Sequence, residues 1–433
     1  MHHRGDDPAP LLALLQSRST GDCPYGLLCC TFRHYHRFEA LYGHERAEEL
    51  IAAGRHTLEQ RVPQGTTILR TGPAELALVL PLCTGHDAEL MALAQQLNHQ
   101  CTIVHRPAGP PLLLTMAIGA ATTETRPGSS AAELLSRARL AMHAAQSRAG
   151  HQVVIATPTL QLQADTLYRQ EAELVLALER QQLTAYLQPI VNLRTRQTIG
   201  FECLARWMRS DGNVIAPRHF LAQANDAGLT AAVDLQVLEA SLRAAQPLAE
   251  ALSPGQTLLL SANLSAQLVD SERCQRRLLD LIAQHPLPQG VALQLELVEE
   301  SLNEADPGLE DLLQHLSDRD VQIAIDDFGT GYSSLSRLHN LAIDAIKVDR
   351  SFVQRINAPG KPSNHLLDML VAIGSDLKIM LTAEGVETEQ QRQWLLDHGI
   401  ELAQGYLFSA PLSVTDAINH LRDQMRDQNR PAP

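Results

Sequence analysis

Apolar runs of strand length alternate with segments of helical periodicity along the chain, and the rhythm changes near residue 160. Before that point, runs such as GLLCCTF, LALVLPL and LLLTMAIGAA are separated by helical patterns such as HERAEELIAAGRHTLEQRV. This alternation predicts a compact α/β domain over residues 1–160. The next segment interleaves charged residues with leucines and contains neither glycine nor proline, so we expect a linker helix over residues 161–182.

Residues 183–425 carry a second rhythm, with eight strand-like runs that are mostly separated by segments of helical length. Eight β/α units in about 250 residues predict a TIM-like (β/α)8 barrel. The fold class is therefore α/β throughout, with the barrel preceded by a smaller α/β domain. In TIM-type barrels the loops at the carboxyl ends of the strands surround the active site.

Polar residues recur at the ends of these apolar runs, where a closed barrel would bring them to one mouth. The set consists of Glu202, Asn263, Glu296, Asp326, Asp327, Lys347, Glu384 and Gln404. Buried carboxylates without partners are costly, and divalent cations would remove that cost. An all-oxygen set of carboxylates and amides suits Mg²⁺ or Mn²⁺ better than Zn²⁺. A single Asp-Asp pair after a strand is more often a turn or a helix cap, so the prediction of a metal site depends on the whole set.

A lysine beside this acidic set indicates phosphoryl chemistry. Two divalent ions ~3.5–4 Å apart can activate a water molecule and stabilise the leaving oxygen of an in-line displacement. The chain has only three lysines, Lys347, Lys361 and Lys378. Lysine at position 347 is therefore predicted to supply a positive charge near the attacking water or the phosphate.

Composition excludes several classes of protein. The formal net charge of −14 argues against a nonspecific nucleic-acid binder. Seven cysteines without a Cys-x-x-Cys pair argue against a disulfide framework and against a zinc site. No apolar run approaches the ~18 residues of a membrane span, and the N-terminal segment does not look like a secretory signal. We therefore expect a cytoplasmic protein that binds no nucleic acid and has no membrane span.

Residues from about 170 to 425 resemble the EAL domain, a family of phosphodiesterases that linearise the bacterial second messenger cyclic di-GMP. The matching motifs, in the family's order, are LQPIVNL, GFECLARW, ANLSA, LELVEES, IDDFGTGYSSL, IKVDRSFV, TAEGVETEQQ and QGYLFSAPL. The resemblance implies metal-dependent hydrolysis of cyclic di-GMP to linear pGpG, with two Mg²⁺ or Mn²⁺ ions as cofactors. It also implies a homodimer formed through the EAL domain.

The resemblance further implies which residues would hold the metal ions. The residues that match the ligands of one ion are Glu202, Asn263, Glu296 and Asp326. Asp326 and Asp327 would share the second ion, with Glu384 in or next to its shell and among the catalytic residues.

Other matching positions carry water-positioning and substrate-binding roles in the family. Lys347 and Gln404 would position the catalytic water, and Glu299 would brace the loop that follows the aspartate pair. Arg206 and Gln188 match substrate-binding positions, and for Arg206 a salt bridge at the barrel rim is the alternative.

The first domain resembles the GGDEF domain, the cyclase fold that makes the same messenger. FEALYGHERAEELI, LLLTMAIGAA and ELLSRARLAMHAAQSRAGHQ match segments of that family. Its active-site signature is replaced by GPAEL, in which Pro73 removes a backbone N–H and Ala74 removes a carboxylate. Thr31 and Arg33 stand where the family has metal-binding aspartates. We therefore expect a degenerate domain without cyclase activity that is regulatory, structural or docks a protein partner.

Two classes of function remain open for the whole chain. One is the phosphodiesterase, and the other is a non-hydrolytic cyclic di-GMP receptor that acts through partner binding. EAL-like domains that keep the pocket but lose catalytic groups act as receptors. The complete set of metal-binding and water-positioning residues favours the enzyme.

Overall fold

The computed structural model describes residues 9–19, 25–33, 35–84, 86–100, 103–105, 112–123, 130–147, 152–299, 307–329, 341–356 and 365–428. The chain divides into two compact units, Met1–Tyr168 and Arg169–Pro433. The division falls inside a long helix, Pro158–Glu179, which overlaps the segment expected to form a linker helix. Within the described residues, none of the helices combines the length and the apolar character that a membrane span requires.

The first unit contains a five-stranded mixed sheet. Its strands are β1 Tyr25–Phe32, β2 Thr67–Arg70, β3 Glu75–Pro81, β6 Met116–Thr122 and β7 Gln152–Ile155, and a separate pair is formed by β4 Ile103–His105 and β5 Leu112–Leu114. Its helices are α1 Ala9–Ser19, α2 Tyr35–Tyr42, α3 His44–Glu59, α4 Asp87–Gln100 and α5 Ala131–Gln146. The strand order is β2-β3-β1-β6-β7, with β1 antiparallel to both of its neighbours and β6 parallel to β7.

Both faces of this sheet are covered, which explains the continuous apolar run in β1. All eight residues of β1 are buried. Leu27 belongs to the core shared with α1 and α5, and Leu28 belongs to the core shared with α3 and α4. Helix α5 lies so close to β6 that a Cβ atom at Gly119 would stand 2.1 Å from the carbonyl oxygen of Ala138. Glycine is therefore required at the contact between this helix and the sheet.

The second unit is a closed barrel of eight strands. The strands are β8 Leu183–Asn192, β9 Thr198–Met208, β11 Leu258–Leu264, β12 Val291–Val298, β13 Gln322–Phe328, β14 Ala345–Val348, β15 Met380–Ala383 and β16 Leu402–Ala403, and a short β10, Val214–Ile215, extends β9. Strand β8 pairs with both β9 and β16 and thereby closes the barrel. The predicted α/β barrel is confirmed.

Helices connect and surround these strands. They are α6 Pro158–Glu179, α7 Leu221–Asp226, α8 Thr230–Ala249, α9 Ala266–Val269, α10 Glu272–Gln284, α11 Pro307–Ser317, α12 Arg350–Val353, α13 His365–Leu377, α14 Glu389–Asp397 and α15 Val414–Gln428, with a 3-10 turn at Pro217–His219. They cover the outer faces of the strands in one continuous apolar core.

The barrel departs from a regular (β/α)8 barrel at its first strand. β8 is antiparallel to both neighbours, because a tight turn rather than a helix joins it to β9. In that turn the Asn192 side chain accepts hydrogen bonds from the backbone N–H groups of Arg194 and Thr195, both at 3.0 Å. A connection this short can join only antiparallel strands, since a parallel crossover needs a dozen or more residues.

Candidate active site

The ammonium group of Lys347, on β14, lies at the centre of the barrel mouth. Its Nζ atom is 2.6 Å from Glu384 Oε1, 2.7 Å from Glu296 Oε2, 3.2 Å from Glu202 Oε1 and 3.3 Å from Asp326 Oδ1. Lys347 is 2% exposed, so these contacts form almost without water. One positive charge therefore faces four acidic side chains.

Lys347 alone does not balance the charge at the mouth. Burial lowers the pKa of Lys347, but the four carboxylates outweigh it and raise this pKa well above its ordinary value. Burial also raises the pKa of Glu202, yet Lys347 and hydrogen bonds hold that pKa below its usual range. Burial keeps the pKa of Glu296 well above its ordinary value and raises that of Glu384 to about 8. Glu384 thus favours the protonated form at neutral pH, because one ammonium group offsets too little of its desolvation.

Parallel pairing brings the side chains of neighbouring strands to the same level. Asn263 on β11 stands opposite Glu296 on β12, and its Nδ2 donates to Glu202 Oε1 at 3.2 Å. Ser261, also on β11, donates from Oγ to Glu296 Oε1 at 2.5 Å. Ser261 was not among the residues predicted from the sequence, although its position two residues before Asn263 places it on the same face of the strand.

A bulge in β13 lets both adjacent aspartates reach the site. The pairing of β13 with β14 shifts register between Ile325 and Phe328, and Asp327 has a φ of 53°. In a regular strand Asp326 and Asp327 would point to opposite faces, and the bulge redirects the second side chain. Oxygen atoms of Asp326, Asp327 and Glu384 consequently lie within 4.8 Å of one another.

Glu299 holds the chain directly after this bulge. Its side chain is buried, and its Oε2 accepts a hydrogen bond from the backbone N–H of Gly329 at 2.8 Å. The rest of the loop that follows the aspartate pair, residues 330–340, lies outside the described residues, as does Lys361.

Gln404 connects two of the carboxylates and retains an open acceptor. Its Nε2 donates to Glu202 Oε2 at 2.5 Å and to Glu384 Oε1 at 3.0 Å. Its Oε1 is buried and accepts no hydrogen bond. The next residue is Gly405, where a Cβ atom would stand 2.1 Å from the carbonyl oxygen of Val386. Glycine therefore allows the chain after β16 to approach the loop after β15 closely enough to position Gln404.

A cavity of about 260 Å³ adjoins the carboxylate cluster. Its lining includes the predicted residues Gln188, Glu202, Glu384 and Gln404, and also Arg350 and Tyr406, which sequence analysis did not select. Arg350 and Tyr406 stand inside two of the matching motifs, IKVDRSFV and QGYLFSAPL, and that position was the available signal.

Arg206 contacts an aromatic ring and a backbone carbonyl group, unlike the predicted residues of the carboxylate cluster. Its guanidinium lies over the ring of Tyr186, 5.3 Å from the centroid, and donates to the carbonyl of Ala205 at 2.7 Å. Burial lowers its pKa. In the part of the chain that the structure describes, Arg206 contacts an aromatic ring instead of forming the rim salt bridge.

Helix α8 and the loop after Asn263 cap each other. Asp234 on α8 accepts a hydrogen bond from the backbone N–H of Ser265 at 2.8 Å, and Gln267 Oε1 accepts one from Thr230 Oγ1 at 2.8 Å. Burial raises the pKa of Asp234 to about 6. Because Ser265 is two residues after Asn263, this pair of contacts ties the position of Asn263 to the helix.

The residues at the mouth fit a divalent cation. The side-chain donors are carboxylate and amide oxygens, which hard ions prefer. Asp326 Oδ1 is buried and accepts no hydrogen bond, although it lies within ion-pair distance of Lys347. A buried carboxylate oxygen without a hydrogen bond, close to oxygen atoms of Asp327 and Glu384, is suited to receive a metal ion.

The comparison with protein families agrees with this arrangement. The EAL domain family matches residues 171–411, more than half of the chain. The chain belongs to the EAL domain family. The diguanylate cyclase GGDEF domain family matches residues 11–152, so the GGDEF domain precedes the EAL domain, as the sequence predicted.

Relatives resemble the chain across both domains. An uncharacterized protein, y4lL of Sinorhizobium fredii, is 31% identical over 92% of this chain and 47% of its own length. The cyclic di-GMP phosphodiesterase NbdA of Pseudomonas aeruginosa is 30% identical over 90% of this chain and 49% of its own length. The chain thus spans about half the length of these relatives. A solved structure described as PaMucR phosphodiesterase in a c-di-GMP complex is 31% identical, with a TM-score of 0.52, over 57% of this chain and 99% of its own.

Replacing Lys347 by methionine should destabilise the EAL domain in EDTA, because four carboxylates lose the ammonium group within 3.3 Å of each. Removing one partner of a buried ion pair costs about 3–5 kcal/mol. We expect a lower melting temperature for the full-length variant, and Mg²⁺ should raise it more than it raises that of the wild type. Lys378→Met, at an exposed lysine, is the matched control. Equal melting temperatures for the two variants would contradict the role given to Lys347.

Replacing Asp234 by asparagine should raise the free energy of unfolding above that of the wild type, and the difference should grow as the pH rises. The pKa of Asp234 is raised in the folded protein from 3.8 to about 6, so the folded state binds this proton more tightly than the unfolded chain. The contribution of this proton to the free energy of unfolding is complete below pH 3.8 and is lost as the pH rises through about 6. Asparagine keeps an acceptor for Ser265 without a charge, and we expect a gain of ~1–3 kcal/mol at neutral pH relative to acidic pH.

Urea unfolding of the wild type and the Asp234→Asn variant at both pH values measures this difference. Asp344→Asn is the control, because Asp344 is exposed and accepts a backbone hydrogen bond from Ile323 at 2.8 Å. The same pH dependence in both variants would show that burial of Asp234 is not the cause.

Proposed function

We propose that this EAL domain protein is a phosphodiesterase that hydrolyses cyclic di-GMP to linear pGpG. The observation that carries the proposal is the cluster of carboxylates and amides around the buried ammonium group of Lys347. Relatives described as cyclic di-GMP phosphodiesterases, and the similar structure in a c-di-GMP complex, support the choice of substrate.

The proposed cofactors are two divalent cations, Mg²⁺ or Mn²⁺. The proposed ligands of the first ion are Glu202, Asn263, Glu296 and Asp326. The second ion would be held by Asp326, Asp327 and Glu384, whose oxygen atoms lie within 4.8 Å of one another. When bound, such ions polarise a water molecule and the phosphodiester and stabilise the leaving oxygen.

The protein side chains have separate tasks in the proposed reaction. The water oxygen bonds to phosphorus, the bond from phosphorus to the 3′-oxygen breaks, and one proton of the water ends on the released 3′-hydroxyl. Gln404 Oε1, which accepts no hydrogen bond, can accept one from this water, while its Nε2 group stays fixed on two carboxylates. Lys347 remains charged and directs its positive charge toward the phosphate or the water.

Substrate binding requires positive or neutral groups near this acidic mouth. Gln188 lines the adjoining cavity and supplies an amide, and Arg350 in the same lining supplies a guanidinium that is paired with Glu387 at 2.5 Å. Arg206 is proposed to grip a phosphate of the substrate, with Tyr186 supporting its guanidinium.

The GGDEF domain is proposed to lack cyclase activity. In the hairpin between β2 and β3, Arg70 donates to Glu48 at 2.6 Å and 2.7 Å and to the carbonyl oxygen of Pro73 at 2.6 Å. Arg33, at a position where the family has an aspartate, donates to the carbonyl oxygen of Ala145 at 2.6 Å. One cation, Arg33, thus stands where a metal-dependent cyclase needs a carboxylate. A regulatory or structural role, including docking of a protein partner, is the remaining use proposed for this domain.

The proposal also includes a homodimer formed through the EAL domain and a cytoplasmic location. The homodimer follows from the family resemblance and the location from the absence of a membrane-length apolar run and of a secretory pattern in the sequence. Light scattering of the purified protein would measure the oligomeric state.

Incubation of the full-length protein with cyclic di-GMP and Mg²⁺ or Mn²⁺ should produce pGpG, which chromatography detects. Glu202→Ala and Asp326→Ala each remove a proposed metal ligand, so kcat should fall by more than about a hundredfold. Glu310→Ala, at an exposed carboxylate on α11, should keep the wild-type rate. Normal turnover in both ligand variants would refute the metal assignment, and tight binding without any product in the wild type would support the receptor.

Incubation with GTP and Mg²⁺ should yield no cyclic di-GMP, because Thr31, Arg33, Pro73 and Ala74 replace the groups that hold metal and nucleotide in active cyclases. The Glu202→Ala variant is the protein to use, since any cyclic di-GMP formed would then persist. Its accumulation above a protein-free control would show that the GGDEF domain is an active cyclase.

A further inference from the structure

A second cleft lies on the outer surface of the EAL domain barrel, between helix α6 and the hairpin of β9 and β10. Its volume is about 410 Å³, compared with about 260 Å³ for the cavity at the barrel mouth. Trp207, Phe220 and Leu174 line it and are 6%, 2% and 1% exposed, so an apolar and largely aromatic surface forms its floor. Trp207 is five residues after Glu202 on β9 and points to the opposite side of the strand, away from the catalytic cluster.

Arginine gives the rim of this cleft a positive charge. Arg209 is already paired, since its guanidinium is 3.1 Å from Glu173 Oε2 and lies over the ring of Trp207. Arg218 donates to His219 Nε2 at 3.0 Å, and among the described residues no carboxylate pairs with it. Arg218 is exposed at the cleft, so its charge is available to an anionic ligand.

The side-chain carbonyl oxygen of Gln223, in the wall of the same cleft, accepts no hydrogen bond. Gln223 donates from Nε2 to Gln170 Oε1 at 3.4 Å, but its own Oε1 is buried and accepts no hydrogen bond. A buried carbonyl oxygen in this state is stabilised by any N–H group that reaches it. The cleft therefore combines an aromatic floor, a cation and an acceptor for an N–H donor.

We propose that this cleft binds a small aromatic anion of the size of a purine nucleoside monophosphate. The ring packs against Trp207 and Phe220, a ring-bound N–H group donates to Gln223 Oε1, and the anionic group pairs with Arg218. The volume falls within the ~300–1,000 Å³ that small-molecule sites occupy in proteins.

Such a ligand would fasten helix α6 to the barrel. Of the residues of α6, Leu174 and Ala177 are buried, so the helix makes little apolar contact of its own. A ligand between Gln170 and Arg218 adds a contact from the helix to the barrel. The cleft is separate from the cavity at the barrel mouth, since the two have no lining residue in common.

Tryptophan fluorescence gives a local test of this proposal. The chain has two tryptophans, Trp207 and Trp394, so a full-length Trp394→Phe variant reports on the cleft alone. Titration with AMP in EDTA, which removes metal ions from the barrel mouth, should quench this emission in a saturable way. Adenosine lacks the anion for Arg218 and should bind about tenfold more weakly.

Arg218→Gln in the same background should weaken AMP binding about tenfold and leave adenosine binding unchanged. The matched control is Arg273→Gln, at an exposed arginine on α10, which should bind AMP as before. No saturable change with AMP, or equal losses in the two arginine variants, would overturn the proposal. If Trp394→Phe does not fold, fluorine NMR of the wild type labelled with 5-fluorotryptophan separates the two tryptophans, and only the Trp207 signal should shift. The readout needs no turnover, so its failure leaves the proposed phosphodiesterase activity untouched.

Discussion

Charge compensation at the barrel mouth is the constraint on which the EAL domain depends. Parallel strands end at one level, and this geometry gathers Glu202, Glu296, Asp326 and Glu384 around the ammonium group of Lys347. Taking so many carboxylates out of water is unfavourable unless cations accompany them. Even with this ammonium group 2.6 Å away, burial raises the pKa of Glu384 to about 8. The site is therefore built for additional positive charge, which is what divalent ions and their chemistry would supply.

The backbone conformation around the barrel mouth positions the side chains of this carboxylate cluster. A bulge and a left-handed residue at Asp327 turn two successive side chains toward one place, where a regular strand would separate them. The buried Glu299 holds the chain after the bulge, and Gly405 allows the close approach that positions Gln404. Helix α8 fixes the loop after Asn263 through Asp234. Local conformations that cost energy are thus retained because neighbouring contacts support them.

Charged side chains gather differently in the two domains. The EAL domain concentrates carboxylates around one lysine. In the GGDEF domain, Arg33 donates to the carbonyl oxygen of Ala145, and Arg70 donates to Glu48 and to the carbonyl oxygen of Pro73. A further cation, Arg218, stands at an aromatic cleft beside the helix in which the two units divide. Arginines thus stand at the GPAEL segment and at the cleft, and carboxylates at the barrel mouth.

The sequence by itself determined the fold class and predicted a set of candidate site residues. Apolar runs of strand length predicted the barrel, and polar residues at their ends predicted Glu202, Lys347 and Gln404, because strand ends must converge when a sheet closes. The antiparallel first strand, the bulge at Asp327 and the contact of Ser261 with Glu296 were decided by the tertiary structure. The tertiary structure also decided the hydrogen bond from Ser265 to Asp234 and the cleft at Trp207. Each of these depends on the register and distance between segments far apart in the chain, which a periodic pattern of apolar residues does not encode.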